Sequence, residues 1–184
     1  MSETPTIKQL EENMRPGRCS NGGFLGMNES LEDVIAKDEQ TVTKLGISYE
    51  QIASSMERIW ITAVNKTHQL TAVHNFDWET DFPQLHKPGT TPSFSLSNLP
   101  DLNKGIIIDD FQVFMVQYRG FQICPWHCSA FGGSDFIVLN RRTGESFAAP
   151  DLIIHLIREH GFFEGFQSPY RVDPEKVIRT LGIT

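Results

Sequence analysis

The pattern of apolar and polar positions predicts two helices in the first third of the chain. After Ser30, apolar residues recur at helical spacing until Gly46, with Ser30 as the N-cap and the glycine as the stop. A second helical pattern follows Ser48, where Gln51 completes a capping box. Its apolar face consists of Ile52, Ala53, Met56, Ile59, Trp60 and Ala63. We expect the two helices, over residues 30–64, to pack as a helical hairpin.

The pattern changes in the second half of the chain. Residues 65–105 are rich in Asn, Pro, Thr, Ser and Gly, which is typical of a loop-rich connector. After them come β-branched and aromatic residues in alternation, and then SDFIVLN, RRTGE and SFAA, which indicate a β-hairpin. Two more helices are predicted: PDLIIHLIREH, ended by Gly161, and DPEKVIRTL, with Asp173 as N-cap and Pro174 at its first position.

These elements predict an α+β fold with an N-terminal helical hairpin, a loop-rich middle and a C-terminal β-hairpin plus helix unit. Residues 1–29 are rich in Gly, Asn and charge, and we interpret them as an irregular arm anchored by Phe24 and Leu25. Residues 106–184 form the β-rich unit. The parts are expected to form one compact protein, because 184 residues suffice for a single core.

Composition restricts the classes of function. The chain is 39% hydrophobic and 21% charged, as in ordinary globular proteins. A net charge of −7 without a run of Lys or Arg argues against nucleic acid and anionic membranes as partners. No apolar stretch is long enough for a membrane-spanning helix, and the polar start MSETPTIKQLEEN is unlike a signal peptide. We therefore expect a soluble cytoplasmic protein that binds another protein or a small ligand.

The most specific chemical signal is the pair Cys124 and Cys128 in CPWHC. In a reducing compartment, a metal explains a close cysteine pair more readily than a disulfide does. Structural zinc takes four soft or borderline ligands, commonly two thiolates on a tight turn and two imidazoles on one helix. The chain supplies those imidazoles, in order, at His155 and His160. We predict that these four residues bind one structural zinc ion per chain.

More of the sequence matches a known zinc-binding pattern. The run F-x4-L-x2-H-x4-H begins at Phe147, includes Leu152 and ends on the two histidines. With the cysteine pair, it makes residues 121–163 resemble the two-cysteine, two-histidine zinc finger of the strand, strand and helix kind. The resemblance implies that Phe147 and Leu152 pack behind the zinc. The interval between cysteines and histidines is roughly twice the usual dozen residues, and Gln122 replaces an aromatic residue, so we expect a finger embedded in a larger domain.

The spacing of the histidines sets a geometric condition. Five residues apart, they lie about 140° apart on a regular helix, so they face one ion only if the last turn tightens or bends. Gly161 permits such an ending. His127, between the two cysteines, is an alternative ligand, which we expect to face solvent or to contact the site from outside.

Catalysis at the metal is the first alternative function. A zinc ion with an open position and a carboxylate as general base would make the protein a metal-dependent hydrolase. Glu159 and Glu164 are the carboxylates available near the second histidine. Because four ligands are already present, the structural role is the favoured interpretation.

DNA binding is the second alternative. In VTKLGISYEQIASSM, Gly46 stands at a turn with Ile47 beside it and Ile52 in the following helix. Residues 42–63 thereby resemble the helix-turn-helix of bacterial repressors. Arg58 is the one cation of the would-be recognition helix, which leaves few contacts for phosphate. An ordinary packed helical hairpin is the favoured interpretation.

Three smaller sets of residues are further candidates for function. Cys19 lies in a Gly-rich stretch without an assignable base, so we interpret it as structural. A second metal or acid–base site is conceivable among His68, His74, His86, Asp77, Glu79 and Asp81. A core position behind the metal helix, or a partner surface if exposed, is expected for Phe162, Phe163, Phe166 and Tyr170.

Overall fold

The computed structural model describes residues 5–73 and 105–184. In these ranges the chain forms five helices and four strands: α1 (Ile7–Met14), α2 (Leu31–Lys44), α3 (Tyr49–Val73), β1 (Ile106–Ile108), β2 (Phe111–Ile123), β3 (Phe131–Asn140), β4 (Ser146–Pro150), α4 (Leu152–His160) and α5 (Pro174–Leu181). The strands form one antiparallel sheet in the order β1-β2-β3-β4. The predicted α+β class is confirmed. The predicted division into four parts stays a prediction.

Both predicted helix caps of the N-terminal hairpin are present. The side chain of Ser30 accepts a hydrogen bond from the Asp33 amide at 3.4 Å at the start of α2. Ser48 and Gln51 form a reciprocal capping box: the Ser48 amide donates to Gln51 at 2.8 Å, and the Gln51 amide donates to Ser48 at 3.2 Å. These bonds satisfy amides that have no partner inside a helix, and so fix where each helix begins.

Helix α3 is longer than predicted. It continues to Val73, past the expected end at residue 64. No Gly or Pro interrupts this stretch, and the hydroxyl of Thr67 donates to the Ala63 carbonyl at 2.8 Å, so polar residues are accommodated within the helix. The expected loop therefore does not begin at residue 65, because residues 65–73 are helical. Residues 74–104 of the expected connector lie outside the described residues.

The N-terminal arm, which the sequence analysis interprets as irregular, contains the helix α1. Thr6 and Gln9 form a capping box, in which the Thr6 amide donates to Gln9 at 2.8 Å and the Gln9 amide to Thr6 at 3.3 Å. Leu10 and Met14, one helical turn apart, are both buried. Two apolar positions give too little periodicity to identify a short helix, which packing then stabilises.

The predicted anchors of the arm are confirmed. Phe24 and Leu25 are each 1% exposed, and their amides donate to the Met14 carbonyl at 2.8 and 3.1 Å. The amide of Gly165, after α4, donates to the Phe24 carbonyl at 2.8 Å. The arm is therefore held against the segment that follows the candidate metal helix.

The sheet places the CPWHC turn against the end of α4. Strands β2 and β3 pair from Phe111 opposite Asn140 to Ile123 opposite Phe131, with an irregular register between Gln117 and Gln122. The turn joins the ends of these two strands. Side chains from β2, β3 and β4 share one core with α3 and α4. No helix among the described residues is both long and apolar enough to cross a membrane.

Candidate metal centre

The turn that carries the two cysteines is held by backbone hydrogen bonds. The Cys124 amide donates to the Ala130 carbonyl at 3.0 Å, which extends the pairing of β2 with β3, and the His127 amide donates to the Cys124 carbonyl at 3.0 Å. His127 has a left-handed backbone with φ of 60°. The chain thereby reverses within a few residues, and both cysteines lie on one short turn.

The helix that carries the two histidines ends at a required glycine. Gly161 has φ of 59°, and its amide donates to the Ile157 carbonyl at 3.0 Å. A Cβ atom at this position would lie 2.8 Å from the Tyr49 ring. Both the backbone conformation and the contact therefore favour glycine here. The ending makes His160 the last residue of α4, next to the cysteine turn.

The structure brings together the four residues predicted to bind zinc. One donor atom each from Cys124, Cys128, His155 and His160 lies within 4.8 Å of the other three. His160 Nε2 lies 3.5 Å from Cys124 Sγ and 3.4 Å from Cys128 Sγ. Zn–S bonds of about 2.3 Å and Zn–N bonds of about 2.0 Å at a tetrahedral angle separate sulfur from nitrogen by about 3.5 Å. These donors thus have the spacing of a tetrahedral site.

His155 contributes an unpaired nitrogen to the cluster. Its Nε2 atom is buried and has no hydrogen-bond partner among the described residues. The rings of His155 and His160 lie edge to face, with centroids 5.3 Å apart and an interplanar angle of 77°. The two imidazoles therefore meet despite their five-residue spacing. A buried nitrogen without a partner is costly, and a bound cation would satisfy it.

Burial favours the neutral forms of Cys124, His155 and His160. It raises the pKa of Cys124 to about 11, with a smaller contribution from Cys128. Burial lowers the pKa of His155. Burial and the nearby His155 together lower the pKa of His160. The neutral imidazole is the form that binds a metal, whereas a thiol must lose its proton first. A cation bound here would therefore displace the Cys124 proton and supply the positive charge that stabilises the thiolate.

The site contains an aromatic residue that the sequence did not point to. The indole of Trp126 lies parallel to the His160 ring, with centroids 4.1 Å apart and an interplanar angle of 5°. Phe162 contacts the same indole edge to face at 5.4 Å. This stacking fixes the plane of the His160 ring and covers one of its faces. A tryptophan between two candidate ligands is the signal that could have identified it.

Two residues implied by the zinc-finger resemblance lie in the core. Phe147 and Leu152 are buried and belong to the same apolar cluster as Cys124.

His127 is exposed, is not one of the four clustered donors, and lies beside α1, near Lys8 and Glu12. Phe162 and Phe163 are fully buried, in agreement with the expected core position, whereas Phe166 and Tyr170 are only partly covered.

The other candidates do not join the cluster. Glu159 is exposed on α4, Glu164 is buried and bonded to Ser168, and Cys19 is exposed in the arm. Within the described residues, the two-cysteine, two-histidine set is the one group found that can hold a metal ion. The proposed second site falls on His74, His86, Asp77, Glu79, Asp81 and the side chain of His68, all outside what the structure describes.

The helix-turn-helix candidate forms a packed pair of helices. Ile52, an apolar position of that pattern, is fully buried. Arg158 of α4 lies against the neighbouring surface of α3, where it donates to Glu50 at 3.0 Å and to Glu57 at 2.8 Å. Arg58 pairs with Asp109 at 3.5 Å. Much of the would-be recognition surface is thus acidic or bonded within the chain, and DNA binding stays an untested prediction.

Comparison with known proteins assigns the chain to no family. No protein-family model, curated protein or solved structure matches it. The site is therefore defined by its geometry alone: a cluster of two cysteines and two histidines that can hold a metal ion. Its donor types agree with the local resemblance to a zinc finger.

Proposed function

We propose that this chain is a zinc-binding protein in which one structural zinc ion is held by Cys124, Cys128, His155 and His160, and that it acts as a non-enzymatic binding or adaptor protein. The supporting observation is the convergence of four donor atoms, each within 4.8 Å of the others. The proposal requires a reducing compartment such as the cytoplasm, in which the thiols stay available to the metal.

The donor types favour zinc over other common cations. Thiolates and imidazoles suit zinc, whereas calcium and magnesium prefer oxygen ligands. A tetrahedral set of two thiolates and two imidazoles is a standard structural zinc site. The 3.4 and 3.5 Å distances from His160 Nε2 to the two sulfurs agree with that geometry.

The arrangement favours a structural over a catalytic role. Catalytic zinc usually has three protein ligands and an open position for water or substrate, whereas four protein donors fill the shell here. The ion would join the turn after β2 to the end of α4, and thereby enclose β3 and β4 between its ligands. Such a cross-link stabilises the turn and the helix against each other.

The surface beside the turn supports a protein as the partner. Phe121, Ile123 and Phe131 are 69%, 55% and 71% exposed. Ile123 lies opposite Phe131 across the two strands, and the rings of Phe121 and Phe131 contact edge to face at 5.9 Å. Adjacent exposed apolar side chains of this size are typical of a protein-interaction surface. Small ligands more often bind in concave pockets.

Metal content per chain tests the zinc proposal. We expect about one zinc per chain in protein purified under reducing conditions without a histidine tag, and little in Cys124→Ser. Cys19→Ser is the matched control, because Cys19 is exposed and lies outside the cluster. It should retain the wild-type zinc content. Wild-type protein that binds no metal, or equal losses in both variants, would refute the site.

Cobalt substitution separates the structural role from the hydrolase alternative. Cobalt in a closed set of two sulfurs and two nitrogens should show tetrahedral absorption bands that do not change when azide is added. An open position would bind the azide and change the spectrum. In the structural case Cys128→Ser should also lower the thermal midpoint by about 6–12 °C, as expected for a loss of about 3 kcal/mol.

A further inference from the structure

Glu164 occupies a position that is unfavourable for a glutamate in two ways. Its side chain is 1% exposed, so a charge there would lose its hydration. Its backbone has φ of 66°, the left-handed conformation that favours glycine. A residue that bears both costs in the folded chain is a candidate for a function of its own.

The hydrogen bonds around Ser168 can all be made at once only when Glu164 carries a proton. The Ser168 hydroxyl oxygen is 2.9 Å from the Gly23 carbonyl and 2.5 Å from Glu164 Oε2, and it accepts from the Tyr170 amide at 3.2 Å. A hydroxyl has one proton to donate. If that proton goes to Gly23, the short contact with Glu164 is a hydrogen bond only when the carboxyl is protonated and donates. All three partners of the hydroxyl are then satisfied.

The surroundings of Glu164 also favour the neutral carboxyl, mainly through burial. Burial raises the pKa of Glu164 to about 8, although its hydrogen bond with Ser168 lowers it. The charge of Asp135 on β3 acts in the same direction as burial. Arg171 acts in the opposite direction, but its guanidinium is paired with Asp38 of α2 at 2.6 and 3.0 Å and also donates to the Glu164 backbone carbonyl. Tyr170, whose pKa is raised by burial and by the charges of Asp135 and Glu164, is another titratable neighbour, and the Glu29 carboxylate lies at the same contact.

The cluster lies where the N-terminal arm meets the segment after α4. The arm presents the Gly23 carbonyl to Ser168 and the Phe24 carbonyl to the Gly165 amide at 2.8 Å. The carboxylate of Glu29, also from the arm, accepts from the Gln167 amide at 3.0 Å. Each of these contacts joins the arm to residues 165–168, so a change at Glu164 acts on the attachment of the arm through its bond with Ser168.

We propose that Glu164 is a proton-operated latch for the N-terminal arm. With the carboxyl protonated, Ser168 donates to Gly23 and the arm is held. When solvent base removes the carboxyl proton, the Ser168 hydroxyl turns toward the new carboxylate, and Gly23 loses its donor. The buried negative charge near Asp135 then favours opening of the contact, which admits water. The latch is independent of the proposed zinc function.

Amide hydrogen exchange of the zinc-loaded full chain tests the latch. The probes are the amides of Gly165 and Gln167, both bonded to the arm. Between about pH 7 and about pH 9 we expect their protection factors, corrected for intrinsic exchange, to fall about tenfold. In Glu164→Gln, which cannot ionise, they should change less than about twofold over the same range. Metal content is measured in each sample, so that loss of zinc is distinguished from opening of the latch.

A second variant keeps the test decisive if glutamine disturbs the site. Glu164→Gly suits the left-handed backbone and also removes the carboxyl. It too should lose the pH dependence at Gly165 and Gln167. The same fall in protection in wild type and in both variants would overturn the proposal, as would constant protection in the wild type.

Discussion

The indole of Trp126 lies flat against the imidazole of His160, with ring centroids 4.1 Å apart. The tryptophan comes from the cysteine turn and the histidine from the end of α4. The stack therefore joins, without a metal, the same two segments that the proposed zinc would cross-link. It also makes Trp126 an optical reporter of the site.

Replacement of Trp126 should weaken metal binding without removing a ligand. We expect Trp126→Ala to lower zinc affinity by about tenfold, because the His160 ring is no longer held in place. Competition with a chromophoric chelator measures this change. In addition, cobalt should quench tryptophan emission in the wild type, and Trp126→Phe should lose most of the quenching.

Trp60 provides the matched control for that experiment. Its indole nitrogen donates to the Ser134 hydroxyl at 3.4 Å, and among the described residues its ring pairs with neither His155 nor His160. Trp60→Phe should retain both the zinc affinity and most of the cobalt quenching. Equal effects of the two substitutions would contradict a specific role for Trp126.

His127→Gly should leave the metal site intact. His127 is exposed with φ of 60°, where a non-glycine residue costs about 1 kcal/mol that glycine avoids. The greater freedom of glycine in the unfolded chain offsets this by a similar amount. We expect unchanged zinc content and a stability within about 1 kcal/mol of the wild type. His127→Val should be less stable than either. Loss of zinc from the glycine variant would instead identify His127 as a ligand.

The buried ion pair between Asp38 and Arg171 should be far more important for stability than an exposed one. Asp38 is 2% exposed, and its carboxylate meets the guanidinium at 2.6 and 3.0 Å. Asp38→Asn should cost about 3–5 kcal/mol, because Arg171 is left with a charge and no counter-ion. Asp110→Asn, in an exposed pair with Arg142 at 3.1 Å, should cost less than about 1 kcal/mol. Urea denaturation measures the free energy of unfolding of both variants. Similar losses in the two variants would contradict a larger role for the buried pair.

The raised pKa of Glu164 predicts how stability depends on pH. From an ordinary value of 4.5, burial raises the folded-state pKa to about 8. Between these values the folded chain holds a proton that the unfolded chain has released, so the free energy of unfolding falls as pH rises. The stabilising contribution of Glu164 is complete below about pH 4.5 and is lost once the pH reaches about 8. Between these values the slope is at most about 1.4 kcal/mol per pH unit.

Urea denaturation of wild type and Glu164→Gln from about pH 5 to about pH 9 isolates this contribution. The variant keeps every other titrating group, so the difference between the two curves belongs to Glu164. We expect the wild type to lose stability relative to the variant up to about pH 8 and to run parallel to it above that. Parallel curves throughout would show that the carboxyl does not titrate abnormally.

Local sequence signals identify most of the helix ends and the four clustered residues. The caps at Ser30, Ser48 and Asp173 and the stop at Gly161 are short-range features, so they can be recognised without tertiary contacts. The cysteine and histidine spacing identifies a ligand set for the same reason. Each pair is local in the sequence, and a single contact between the cysteine turn and the end of α4 brings the two pairs together.

Tertiary packing decides the features that the sequence did not indicate. Helix α1 is stabilised by burying Leu10 and Met14, which is not visible in a short and mostly polar segment. The stack of Trp126 on His160 and the burial of Glu164 depend on residues far apart in the chain. The extension of α3 to Val73 shows the converse case, in which polar residues continue a helix that composition suggests should end.

The proposed zinc cross-link and the docking of the N-terminal arm imply an order of assembly during synthesis. The candidate zinc ligands enclose one continuous stretch from Cys124 to His160, which can close as soon as that stretch has left the ribosome. The contact between Gly23 and Ser168 spans 145 residues, so the arm can dock only after Ser168 has been made. Until Gly165 has been made, the carbonyl of Phe24 also lacks its donor. Docking of Phe24 and Leu25 against the segment after α4 is therefore a late event in synthesis.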